Sequence, residues 1–143
     1  MKLTSTFGNN QLMDSKYTCD GEDVSPELRI SNIPPNAKSL ALIMDDPDAP
    51  MGTFVHWVVW NIAPTKTVIK EGEEPAMRGR TNFGKLGYGG PCPPSGTHRY
   101  FFKLYALDSQ INLKEGATKA ELEKAMQNHI IAKTELVGLY KRR

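Results

Sequence analysis

The stretch "TFVHWVVWNI", residues 53 to 62, decides the fold class. Its β-branched and aromatic side chains lose rotamer freedom in a helix and pack well on a pleated surface. Alternation places Phe54, His56, Val58 and Trp60 on one face, and Val55, Trp57, Val59 and Asn61 on the other. Both faces are largely apolar, which predicts a central strand covered on both sides.

Two neighbouring stretches read the same way. "SLALIMDD", residues 39 to 46, follows the breaker Pro34, Pro35, Asn36 and is too short for a typical helix, so it is expected to be a buried strand. "HRYFFKLYAL", residues 98 to 107, alternates with His98, Tyr100, Phe102, Leu104 and Ala106 together and Arg99 on the opposite face. A helix is predicted over residues 118 to 132, where Thr118 and Glu121 have capping-box spacing and Leu122, Ala125, Met126, His129 and Ile130 form one stripe. Gly138 and the basic residues after it are read as the end of the domain. Between the second and third strands, residues 71 to 96 carry glycine or proline every few positions and read as one long functional loop. Several strands with one late helix predict a mostly β domain, a sandwich with Greek-key connections.

The 143 residues fit a single domain, 1–143, and the charged fraction of 24% with 39% hydrophobic residues is ordinary for a folded chain. The 18 basic and 16 acidic side chains are dispersed, against the basic stripe that nucleic acid requires. The cluster Lys141, Arg142 and Arg143 reads as a solvated tail. "MKLTSTFGNN" lacks the apolar core of a secretory leader and no run reaches the length of a membrane span, so a cytoplasmic location without stable membrane insertion is expected. In that compartment Cys19 and Cys92 are expected to be reduced thiols, although loop positions would allow one bridge.

The informative residues are polar ones that interrupt apolar strands. Asp45 reads as a turn residue of the "DPDAP" region, whereas Asp46 and Asp48 become functional if the histidines approach them. His56 reads as a core histidine bonded to a backbone carbonyl, and His129 as a core histidine of the helix. His98 closes a stiff glycine- and proline-rich loop and shares a face with Tyr100. A metal site, a hydrolytic centre and an anion pocket compete for this set. The helical histidine spacing of zinc motifs is missing. Ser95 lacks the elbow of a serine nucleophile, and Cys92 has no local group to ionise its thiol. An anion pocket needs only imidazolium, hydroxyl and loop amides, so it ranks first.

Taken together, "DGEDVSPEL" (20 to 28), "DDPDAPMGTFVHWVVWNI" (45 to 62), "FGKLGYGGPCPPSGTHRYFFKLYALD" (83 to 108) and "GLYKRR" (138 to 143) resemble the phosphatidylethanolamine-binding protein family, also called Raf kinase inhibitor protein-like. The five-residue spacer Met51 to Val55 and the short stretch after "GLY" resemble its bacterial and archaeal branch. The resemblance implies a sandwich of one large and one smaller sheet with a peripheral C-terminal helix. It also implies a non-enzymatic protein, with no metal or other cofactor, whose small pocket accepts phosphate or a phosphoethanolamine-like headgroup. The implied ligand-binding residues are Asp46, Asp48, His56, Gly90, Pro94, His98 and Tyr100, which moves His56 from core to site. Modulation of a protein kinase or serine protease, and a homodimer, are implied as further properties. The competing expectation is a hydrolase or metal-dependent enzyme using the same aspartates and histidines.

Overall fold

The computed structural model describes residues 1–142. In chain order it contains β1 (Lys2–Ser5), β2 (Gln11–Leu12), β3 (Leu28–Ser31), β4 (Ser39–Asp46), β5 (Phe54–Ile62), β6 (Val68–Ile69), β7 (Met77–Arg78), β8 (His98–Leu107), α1 (Lys119–Met126) and β9 (Ile130–Tyr140). A three-stranded sheet, β1-β3-β6, faces a six-stranded sheet, β2-β9-β8-β4-β5-β7. The fold is therefore mostly β, with the large and small sheets and the peripheral helix that the sequence suggested.

β4 is buried along its whole length and lies between β5 and β8, antiparallel to both. One of its faces meets the small sheet. There Leu40, Leu42 and Met44 join Trp57, Val59, Phe102 and Leu104, against Leu3, Leu28, Ile30 and Ile69. On the other face Ala41 and Ile43 join Val58 and Trp60 against Leu122 and Met126 of α1. Burial of each large apolar side chain contributes about 1.5–3 kcal/mol, so the two cores account for the central position of this sheet.

The structure corrects five sequence readings. The helix begins as expected, with the reciprocal capping box of Thr118 and Glu121, but ends at Met126. Asn128 then takes a left-handed conformation at φ 68°, which turns the chain out of the helix, and β-branched Ile130 and Ile131 start a strand. His129 is thus outside the helix, half-buried and paired with Asp108 at 2.8 Å, and is not a core residue. Gly138 does not end the domain. It lies in β9 opposite Tyr100, where a Cβ would come within 2.6 Å of Met13 and 2.9 Å of Phe7, so close packing requires glycine there.

Asp45 is no turn residue either. It is buried in β4, and its Oδ2 accepts from Lys103 Nζ at 3.1 Å and pairs with Lys119 Nζ at 2.9 Å. Finally, Cys19 and Cys92 form a disulfide with their Cα atoms 5.4 Å apart. The expectation of reduced thiols followed from an assumed compartment; the contacts around residues 15 to 23 and 88 to 92 bring the two together instead. Of the basic tail, Arg142 reaches Asp20 at 3.5 Å, and Arg143 lies outside the described residues. No described helix is long and apolar enough to cross a membrane.

Candidate functional site

The site forms where β4 ends and β5 and β8 begin, an arrangement that antiparallel pairing enforces. Asp46 lies opposite Phe54, and the next positions of β8 carry His98 and Tyr100 on the face that also holds Phe102. A β-bulge completes the set. Met44 pairs with Trp57 and Asp45 with Val55, leaving His56 as the extra residue. Strict alternation would turn His56 toward α1 with Val58 and Trp60. The inserted residue instead brings its ring to Tyr100 and Phe54, at centroid distances of 5.2 and 5.0 Å.

Loop residues 79 to 94 form one wall, and their rigidity has identifiable causes. Gly79 and Asn82 bond the free edge of β5 at Val58 and Val55, and Gly89 N–H donates to the His56 carbonyl at 3.0 Å. The other side of the loop is tied to residues 17 to 23. Tyr88 Oη donates to the Tyr17 carbonyl at 2.7 Å, Gly90 N–H donates to Asp23 at 2.8 Å, and Cys19 N–H donates to the Pro91 carbonyl at 3.1 Å, beside the disulfide.

The cavity has a volume of about 510 Å³ and is lined by Asp46, His56, Pro94, His98 and Tyr100 among the expected residues. Asp46, 3% exposed, holds two partners. Its Oδ1 accepts the Asp48 N–H at 2.8 Å, the turn that "DPD" predicts, and its Oδ2 lies 2.7 Å from His98 Nδ1. The His98 proton therefore sits on Nδ1, and Nε2 is the nitrogen left for the cavity. His56 has the same polarity, since its Nδ1 lies 2.7 Å from the Gly89 carbonyl, which can only accept. Burial holds the His56 imidazole below its ordinary pKa of 6.5, and the Gly89 bond and nearby aspartates offset this only in part. Tyr100 is fully buried and its hydroxyl has no hydrogen-bond partner of ordinary geometry. Desolvation first, then the adjacent Asp46, pushes its pKa upward, so it is a neutral donor.

Two expected residues do not line the cavity. Asp48 turns to Arg99, whose Nε and Nη2 donate at 2.9 and 2.8 Å and whose backbone N–H donates at 3.0 Å. This fork holds the Asp48 carboxyl down at about 2. Gly90 stands behind the wall, where a Cβ would collide with the Tyr17 carbonyl and Asp23. Its contribution is the close approach of two loops, with its amide committed to Asp23.

This geometry coincides with a family match. The family model described as phosphatidylethanolamine-binding protein aligns with residues 3–141. The chain belongs to the phosphatidylethanolamine-binding protein family. A UPF0098 protein of Pyrococcus horikoshii is 52% identical over 153 residues, covering 100% of this chain and 77% of that protein. A Pyrococcus abyssi relative is 53% identical, covering 100% and 86%. Among solved structures, a phosphatidylethanolamine-binding protein homolog from Chlamydia trachomatis superposes with a TM-score of 0.96 at 42% identity, covering 99% of this chain and 97% of that one. YbcL of E. coli, described as a member of the mammalian family, gives 0.90 at 30% identity, covering 99% and 98%.

In this phosphatidylethanolamine-binding protein family member, sequence reasoning missed the apolar rim. Phe54 and Phe83 meet edge to face at 4.8 Å, Phe83 contacts His56 at 5.2 Å, and Met51 stands 99% exposed at the mouth. Phe54 was legible as part of the strand face that carries His56. Phe83 and Met51 carried no signal, since they lie in loops without periodicity. Among the described residues no group of three histidine, cysteine or carboxylate side chains is arranged to hold a metal ion.

Proposed function

We propose that the protein is a non-enzymatic binding protein whose pocket holds phosphate or a phosphorylated or carboxylate-bearing headgroup. One observation carries this reading. The buried Tyr100 hydroxyl, for which no protein group offers a hydrogen bond of ordinary geometry, shares a cavity wall with two imidazoles whose Nδ1 atoms are already committed. A buried polar group without a partner costs about 1–3 kcal/mol, so a ligand that satisfies it gains that much in affinity. Phe54, Phe83 and Met51 provide an apolar rim for the rest of a ligand, while the cavity suits a headgroup better than acyl chains. A kinase or serine protease partner would be engaged through a phosphorylated or acidic group presented to the same pocket.

The Asp46–His98 pair also has the geometry of an oriented general base, which favours a hydrolase as the second reading. Neither the serine nor the cysteine weighed as a nucleophile is available to it. Ser95 is exposed and does not line the cavity, and the Cys92 sulfur is bonded to Cys19.

Titration with inorganic phosphate and with O-phosphorylethanolamine, following the histidine ring signals by NMR, tests the binding reading. His56 and His98 should shift saturably while His129, paired with Asp108 away from the cavity, stays put. Rings at 56 and 98 that do not respond would remove the proposal. A phosphoesterase screen that showed turnover dependent on His98 would favour the hydrolase.

A further inference from the structure

The cavity poses an electrostatic problem for any anion. No lysine or arginine lines it, while Asp46 does, buried and adjacent to His98. The charges whose fields act on His56 are acidic: Asp46 at the end of β4, Asp23 on the segment before β3, and more weakly Asp45, whose carboxylate is paired with Lys103 and Lys119 away from the cavity. From β8 it meets neutral Tyr100, and His98 stands on the same wall. The Gly89 carbonyl fixes the one proton of a neutral His56 on Nδ1, so Nε2 presents a lone pair to the cavity. A lone pair and a carboxylate repel an oxyanion. One added proton on Nε2 converts that acceptor into a charged donor without moving a heavy atom, because Nδ1 keeps its bond to Gly89 in either state.

We propose that an oxyanion enters this pocket together with a proton taken up at Nε2 of His56, so that the protein loads phosphate-like groups in mildly acidic conditions and releases them as pH rises. The inference rests on the anion-pocket reading and goes beyond it by naming where the compensating charge arises. Burial, which disfavours the charged imidazole in the free protein, links the uptake to binding. The proton comes from solvent when the ligand is fully ionised. It is brought by the ligand itself when that is a monoprotonated phosphate monoester.

Sulfate is the sharper probe because it carries no proton near neutrality. Calorimetric titration of the full chain with sulfate, in two buffers of different ionisation enthalpy, should show about one proton taken up per ion bound, and affinity should fall about tenfold per pH unit above neutrality. Nitrogen-15 NMR of the wild-type protein should show His56 Nε2 passing from unprotonated to protonated on sulfate addition. His56→Gln should bind more weakly, with proton uptake near zero and a flat pH profile. The NMR readout does not depend on that variant folding. Sulfate binding without proton uptake, with Nε2 still bare, would overturn the coupling and leave the anion pocket standing. Failure of sulfate and phosphate to bind anywhere between about pH 5.5 and 8 would remove both.

Discussion

Asp46 commits each carboxylate oxygen to a different task, one to the turn that ends β4 and one to the tautomer of His98. Tyr100 is the complementary case, a buried donor on the cavity wall with no protein partner of ordinary hydrogen-bond geometry. Tyr100→Phe should therefore leave folding stability within about 1 kcal/mol of wild type while weakening phosphate about tenfold, a contrast that urea titration and calorimetry measure together. Equal losses in both would make the hydroxyl structural. His56 gives a pH signature of its own. Its folded pKa lies below 6.5, so the unfolded chain binds more protons in the window between the two values, and stability falls as pH drops below about 6.5. Urea midpoints should decline through that window in the wild type but not, from this source, in His56→Gln. A flat wild-type profile would mean that the ring is not held neutral.

At the scale of elements, the informative comparison is between β5 and β9. β5 was legible because covering on both sides demands a continuous apolar run, and residues 54 to 62 supply one. β9 was not. Its first half is largely exposed, so its sequence lacks a clean period of two, and Ile130 falls in phase with the preceding helix. The His56 bulge was hidden for a related reason, since an extra residue leaves composition unchanged and shifts only the partner. Asp46 and His98 stood out in the chain as polar residues at the ends of apolar strands, but their pairing across 52 positions did not, and the family resemblance carried it. Asp48 could be placed near them, but its commitment to Arg99 follows from three-dimensional proximity that spacing does not encode.

The loop wall illustrates long-range closure. Cys19 and Cys92 are 73 positions apart, and linking them removes conformational freedom from a large loop of the unfolded chain. Replacing both by serine should lower stability by about 2–4 kcal/mol. Amide exchange should quicken at positions 88, 89, 90 and 92 before it does in β4 and β8, because without the bridge only a few hydrogen bonds to residues 17 to 23 hold the wall, whereas the strands keep their full ladders. Uniform acceleration across the sheet would show that the bridge supports the whole fold and not this wall in particular.

Considered as a whole molecule, the sandwich separates stability from recognition. Two apolar cores, one on each face of the six-stranded sheet, fix the strands over their length, and the ends of β4, β5 and β8 can then carry polar groups at one rim. The family resemblance carried by "DPDAP" and "GPCPPSGTHRY" is now family membership, and the geometry separates five cavity residues from two that support them. Tight loops on a rigid sheet lose little entropy when a small ligand binds, which suits a site built for a headgroup. The central claim is that the ligand's anionic group occupies the space between these side chains. A crystal structure grown with O-phosphorylethanolamine tests it most directly. Phosphate density is expected within hydrogen-bond reach of Tyr100 Oη and of His56 Nε2, whereas an empty cavity with saturating ligand bound elsewhere would contradict the claim.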